Sequence, residues 1–280
     1  MPELPDLEVI RRYLAPRLAG AQVESVEVRR PVILRNLLGG DVRTLLAGRS
    51  FSAVARRGKF LLLPFLGDPL WLVVNPMLAG RLRYGQPLAR GRARDALVLS
   101  LCGGLELRYH DARDMGKIYV ATYLEEVPGF ANLGPDADDP LLSLEVFRER
   151  LKRRTGEIKG VLTEQGCVAG IGNAYADEIC WHAQIYPFRR RASLTLDEVA
   201  RLYASMRTVL CSAVETLEQR TGAAIDVEIR DFLAVHGKPG QPCPRCGSPI
   251  SEVTLQKRST HFCRACQPGL MVGRRDRRLP

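Results

Sequence analysis

The residues best suited to chemistry by type and spacing are four cysteines near the end of the chain. Cys243 and Cys246 are separated by two residues, sixteen intervene, and Cys263 and Cys266 repeat the spacing. Each Cys-x-x-Cys turn aims two sulfurs at one ion, which is the four-thiolate zinc pattern. Gly247, after the first pair, permits the left-handed backbone that such a knuckle needs. Two matched pairs in a Gly/Pro-rich ribbon outweigh the alternative of ordinary buried thiols. Four protein ligands leave the ion no open position, so the expected single zinc holds the fold and performs no chemistry. Between the pairs lie Lys257, Arg258, Thr260 and His261. Basic residues on a rigid hairpin suit phosphate contacts, and a solvated charged turn is an equally good reading.

A second constellation is VAGIGNAYADE over 168–178. It places Gly170 and Gly172 in a tight turn, with Asn173 positioned to cap the helix that follows. The free amides and positive dipole end of such a helix form an anion site. Asn173 would add a donor there and Lys159, upstream, a charge. A purely structural cap between packed helices is the other reading.

Elements of two kinds must position these groups. A chain of 280 residues exceeds one typical core and suits two domains with a small module. Lys and Arg total 41 against 31 Asp and Glu, a formal charge of +10, which points to an anionic polymer or surface as partner. No apolar run approaches the roughly 20 residues of a spanning helix, and MPELPDLE lacks the basic stretch and apolar run of an export signal. With four cysteines scattered and four clustered, the expectation is a reduced cytoplasmic setting with no membrane partner. After a short helix marked by Leu7, Ile10 and Leu14, the next hundred residues read as strands. The apolar runs at 23–28, 60–65, 70–74, 96–101 and 117–124 are separated by turn formers, as in a sandwich or barrel. The turn-rich 129–140 reads as a linker. Beyond it the period becomes helical, with Ser143 capping 144–154 and a capping box at Thr195 and Glu198 opening a long helix. That helix carries Val199, Leu202, Met206, Val209, Ala213 and Leu217 on one face.

Three separated motifs, in order, resemble the formamidopyrimidine-DNA glycosylase / endonuclease VIII family. MPELPDLE is similar to the family's opening, IKGVLTEQ with VAGIGNAYADE to its helix-two-turn-helix, and CPRCG with RSTHFCRACQ to its zinc finger. The resemblance runs through Gln267. It implies an α+β multidomain protein: an N-terminal catalytic β-sandwich with an N-terminal helix over 2–130, a helix-two-turn-helix DNA-binding domain over 136–225, and a zinc finger over 233–268. A disordered tail is expected over 269–280. The implied protein is a monomeric base-excision repair enzyme, acting in the cytoplasm and at the nucleoid if bacterial. It binds double-stranded DNA containing damaged bases or abasic sites in the cleft between the domains, excises oxidised bases and then cleaves the strand as an AP lyase.

The chemistry follows from the first residues. Met1 precedes the small Pro2, so removal of Met1 is expected, leaving a secondary amine. An α-amino group with a pKa of about 8 is partly neutral at physiological pH. Its attack on C1′ of a damaged nucleotide yields an iminium with no N–H proton to lose, an electron sink that drives β- and δ-elimination. The family pattern makes Glu3 the acid/base beside the proline and Lys59 the phosphate-reaching base that helps the first elimination. It makes Arg258 the zinc-finger arginine of phosphate binding and the second elimination. Leu78, Arg94, Arg113, Met115, Lys159, Asn173 and Arg258 are the expected DNA contacts.

Two departures bear on substrate. Base flipping needs side chains to fill the vacated stack. In NPMLAG, Leu78 takes the place of the usual methionine, with Met77 beside it; in DARDMG, Arg113 is retained and Met115 replaces an aromatic. The segment TGAAIDVEIRD, 221–231, is shorter than in members specialised for 8-oxoguanine and resembles the endonuclease VIII side. The alternatives are therefore an endonuclease VIII-like glycosylase for oxidised pyrimidines and a catalytically inactive zinc-containing DNA-binding protein.

Overall fold

A computed structural model describes residues 1–88, 94–255 and 258–269. Of the expected tail, 270–280 lie outside the described residues.

The chain opens with helix α1, Leu4–Leu18. Pro5 suits the first turn, where its missing N–H costs nothing. Asp6 closes that turn by accepting from the Glu3 N–H at 2.8 Å. Leu7, Leu14 and Leu18 are fully buried, which makes the apolar stripe the face that meets the sheets. The strands are β1 Val23–Val28, β2 Leu34–Asn36, β3 Ala55–Arg57, β4 Phe60–Pro64, β5 Trp71–Asn75, β6 Gly80–Gly85, β7 Asp95–Leu101, β8 Leu105–Asp111 and β9 Lys117–Ala121, with a short helix α2, Val42–Leu46. They form a four-stranded sheet in the order β1-β7-β8-β6 and a five-stranded sheet in the order β2-β9-β5-β4-β3. Leu97, Leu99, Leu107 and Tyr109 of the first sheet share one core with Leu61, Leu63, Leu72, Val74, Ile118 and Val120 of the second. Alternate residues pointing to a common interior make a sandwich.

Four of these strands escape the apolar-run reading: the three-residue β2 and β3, too short to form a run, and the longer β6 and β8. β6 (GRLRYG) and β8 (LELRYHD) interleave charges with core residues, and Arg108 is buried on Asp95 at 2.8 Å. The stretch read as a linker is also more than a linker. Phe130 and Leu133 pack over the outer face of the five-stranded sheet, with Phe130 edge-on to Phe60 at 5.6 Å.

The helical part comprises α3 Leu144–Lys152, α4 Ile158–Thr163, α5 Asn173–His182 and α6 Leu196–Thr221, followed by the ribbon strands β10 Ile250–Leu255 and β11 Arg258–Cys263. Ser143 caps α3 by accepting from Val146 N–H at 3.3 Å. Thr195 and Glu198 form the reciprocal box at the start of α6, with bonds of 2.8 and 3.2 Å. One cap differs: Gly172, not Asn173, is the N-cap of α5, because the Asn173 side chain is used elsewhere.

The chain divides into two compact units, Met1–Asp136 with Leu210–Arg230, and Ala137–Val209 with Asp231–Pro280. The division therefore departs from the boundaries read from sequence by falling inside α6. Ile225, beyond that helix, is buried in the sandwich core, which draws the intervening chain into the first unit. Among the described residues no helix is long and apolar enough to cross a membrane.

Candidate active site and DNA contacts

In the first unit the chain start is built into the structure. Pro2 is buried and Glu3 is 2% exposed, since both immediately precede α1, whose buried face anchors them. A cavity of about 590 Å³ opens beside them. Met1 lines it, together with Leu78, Ala79 and Arg81, His110, Ala112 and Arg113, and Asp226. Two loops thus converge on the amino terminus, one leading into β6 and the other leaving β8.

Both loops are held by one tyrosine. A Cβ built on Gly80 would lie 1.9 Å from the Tyr109 hydroxyl oxygen, and one on Gly116 would lie 1.7 Å from it. No side chain fits either place. The Gly116 N–H donates to Asp111 Oδ2 at 2.6 Å and the Arg113 N–H to Asp111 Oδ1 at 2.9 Å. Each loop also carries a non-glycine residue in the left-handed region, Met77 at φ 48° and Asp114 at φ 53°. Such conformations persist only where surrounding bonds impose them. Asn75 Oδ1 accepts from the Met77 N–H at 3.2 Å, and Asp114 accepts from Nε and Nη2 of Arg30. The loops present Leu78 and Met115 at 41% and 40% exposure, large apolar side chains held out beside the cavity with exposed Arg113.

Arg94 is half exposed, 3.5 Å from Asp114 Oδ2. Lys59, half-buried, sits at the turn between β3 and β4 and is not part of the cavity lining. Asp136 fixes that turn, accepting from Gly58 N–H at 2.9 Å and from Arg56 at 2.7 Å.

Sequence reasoning missed a carboxylate at the amino terminus. Glu228 Oε1 accepts from the Met1 ammonium at 3.1 Å, and Arg81 bonds its other oxygen. Burial disfavours the Glu228 charge, yet the amino terminus, Arg230 and Arg81 hold its carboxyl below the usual range. The only signal was the charge alternation in IDVEIRD, which names no partner.

In the second unit Lys159 is 7% exposed. Its ammonium lies 2.8 Å from Asp177 Oδ1 and donates to Thr260 Oγ1 at 2.8 Å and to the Ser259 carbonyl at 3.0 Å. Asn173 donates to the same carbonyl at 2.9 Å. Both residues therefore brace the start of β11, next to exposed Arg258. This corrects the picture of Lys159 as a charge offered freely to DNA. Asp177 is fully buried and also meets His236 Nδ1 at 2.8 Å and His261 Nδ1 at 3.3 Å. Burial opposes its charge, but the two histidines and Lys159 keep its carboxyl below the ordinary value.

The four ribbon cysteines gather their sulfurs within 4.8 Å of one another. Cys246 and Cys263 are 3.5 Å apart and Cys243 and Cys266 3.9 Å, close to the about 3.8 Å edge of a tetrahedron with zinc–sulfur bonds of about 2.3 Å. Gly247 takes φ 75°, and the Trp181 indole N–H donates to Cys243 Sγ at 3.4 Å. The donor set fits one zinc ion.

Comparison with known proteins matches three successive parts of the chain. Residues 1–118 match the formamidopyrimidine-DNA glycosylase N-terminal domain, 133–224 the formamidopyrimidine-DNA glycosylase H2TH domain, and 240–269 a zinc finger found in FPG and IleRS. The formamidopyrimidine-DNA glycosylase of Symbiobacterium thermophilum is 40% identical over 278 residues, covering 96% of this chain and 90% of that protein. The chain belongs to the formamidopyrimidine-DNA glycosylase family. The Moorella thermoacetica member is 40% identical over 260 residues, covering 90% of this chain and 94% of that protein. Among solved structures, Lactococcus lactis Fpg in complex with DNA containing an abasic site superposes with a TM-score of 0.86 at 30% identity, covering 95% of this chain and 100% of that one. The same Lactococcus protein with DNA containing an oxidised pyrimidine matches equally, with a TM-score of 0.86 over 96% of this chain.

Proposed function

We propose that the chain is a bifunctional DNA glycosylase and AP lyase of base-excision repair that removes formamidopyrimidines and related oxidised bases from double-stranded DNA. The observation that carries this reading is the buried Pro2–Glu3 start, set at a cavity flanked by Leu78 and Arg113. A disordered start would offer no fixed nucleophile; this one is held by α1.

With Met1 removed, the neutral Pro2 amine attacks C1′ of the flipped nucleotide, and the damaged base leaves with the bonding pair as Glu3 manages the protons. The amine then loses its proton and the C1′–O4′ bond breaks, O4′ taking a proton through Glu3 as the sugar ring opens. The iminium so formed has no N–H proton to shed, so loss of a C2′ proton expels the 3′ phosphate and loss of a C4′ proton then expels the 5′ phosphate. Lys59 serves the first elimination and Arg258 the phosphate contact and the second. Leu78, Met115 and Arg113 fill the space the base vacates. Arg94 adds a phosphate contact, while Lys159 and Asn173 act through the β11 backbone that presents Arg258. Zinc supplies no step; it fixes the ribbon. A monomer acting in the cytoplasm on chromosomal DNA completes the reading.

Borohydride reduction on abasic-site DNA tests the assignment. The wild-type chain is expected to give a stable covalent adduct on its N-terminal peptide, and Pro2→Gly to lose most of it together with strand cleavage. Undiminished trapping by Pro2→Gly would move the nucleophile to a lysine, with Lys59 the first candidate. A wild-type chain that binds abasic DNA without trapping would be a binding protein only.

A further inference from the structure

The chain after α6 returns to the amino terminus. Ile225 anchors it in the sandwich core, and three residues later Glu228 reaches the terminal nitrogen at 3.1 Å. Arg230 donates from Nε to Glu228 Oε1 at 3.2 Å, and from Nη2 to Asp6 Oδ2 at 2.6 Å and to the Met1 carbonyl at 3.3 Å. Arg81, at the start of β6, holds the other Glu228 oxygen. Glu228 is 29% exposed, Arg81 17% and Arg230 20%. Two guanidinium groups from different elements therefore fix this carboxylate, and neither depends on the amine. Removing Met1 shifts the terminal nitrogen by one residue, about 3.8 Å along the chain, so a carboxylate anchored at this spot stays at the chain start.

We propose that Glu228 is a positioning residue for the N-terminal amine: in the processed chain it accepts a hydrogen bond from the Pro2 nitrogen, turns the lone pair toward the cavity, and sets the amine's basicity in opposition to Arg81. This inference rests on the assignment of Pro2 as nucleophile. Glu228 gives up no proton and stays ionised throughout, which its two arginine partners favour. The segment 222–230 thereby serves the reaction centre directly.

The other charged groups near the terminus are Glu3, the N-cap of α1, Asp6 of α1, and Asp226 of the same segment. From the sheet come His110 of β8 and Arg113 of the loop after it. A carboxylate beside an ammonium stabilises the protonated form, and a guanidinium destabilises it. Glu228→Gln therefore lowers the amine's pKa and moves the acid limb of the rate profile to lower pH. Arg81→Met moves it to higher pH. Opposite shifts are not produced by a general loss of packing.

The experiment is single-turnover formation of the cyanoborohydride-trapped adduct on abasic-site DNA from pH 5 to 9. It uses the wild-type chain, Glu228→Gln, Glu228→Asp, Arg81→Met and His110→Gln, each checked for Met1 removal, zinc content and Tm. The expected result is a shift of about one unit or more down for Glu228→Gln and up for Arg81→Met. Glu228→Asp should keep the wild-type limb at a reduced rate. An adduct on Pro2 with the limb unmoved in both charge variants overturns the inference and leaves the nucleophile standing. A limb that moves only in His110→Gln belongs to the histidine and overturns it too. Absence of any wild-type adduct overturns the nucleophile assignment, and this inference with it.

Discussion

Tyr109 shows how little freedom individual residues have at this site. Its hydroxyl occupies the space where a side chain on Gly80 or Gly116 would sit, so the loops carrying Leu78 and Met115 close on it from two sides. Gly116→Ala is expected to destabilise the chain by about 1–3 kcal/mol, the usual result of overpacking. Because the displaced loop carries Arg113 and Met115, lesion excision should fall as well. Tyr109→Phe removes the nearest clashing atom, leaving Asp111 Oδ2 2.8 Å and the ring carbon 2.9 Å from the new Cβ. The double variant should therefore recover part of the lost stability, read as a positive coupling in thermal unfolding. If the two substitutions add independently, the loops are not held in this way.

At the scale of elements, the ribbon and the helices beside it act together. The zinc knuckles shape β10 and β11, while Lys159 and Asn173 take the Ser259 carbonyl and Asp177 takes the His261 N–H at 3.1 Å. The exposed Arg258 side chain is thus mounted at the start of a strand held at Ser259 and His261 and, beyond them, by the Cys263 knuckle. Zinc-bound thiolates contribute to folding itself, so losing the ion loosens the whole mount. One zinc per chain is expected by elemental analysis. Chelation or Cys263→Ser should weaken binding to abasic-site DNA by tenfold or more in fluorescence anisotropy. Full affinity in Cys263→Ser would separate the ribbon from DNA binding.

For the whole molecule the open matter is substrate choice. The segment 222–230 after α6 is short and is committed to the sandwich core through Ile225 and to the amino terminus through Glu228 and Arg230. Little of it remains to cover a flipped purine. Losing one hydrogen-bonding group from a recognition site costs about 1–3 kcal/mol, enough to erase a ten- to hundred-fold preference. Formamidopyrimidines, oxidised pyrimidines and abasic sites should all be processed, with 8-oxoguanine comparatively poor. With Arg113 as the one polar probe on its loop, adenine opposite the lesion should carry a small penalty. Single-turnover excision across these lesions, each opposite cytosine or adenine, checks this; a strong cytosine-dependent preference for 8-oxoguanine would contradict it.

The sequence by itself determined what depends on neighbours a few residues apart. The Cys-x-x-Cys knuckles, the Ser143 cap, the Thr195–Glu198 box and the apolar stripe of α6 are local patterns, and the motifs at the chain start, α4–α5 and the ribbon marked the family. Tertiary structure decided where the charges go. Glu228 meets an amine 227 positions away, and Lys159 spends its ammonium on Thr260, 101 positions away. A lysine offered to DNA and a lysine sealed beside Asp177 are the same letter in the sequence. Long-range ion pairs follow no period, and only the tertiary packing that brings both partners together selects them.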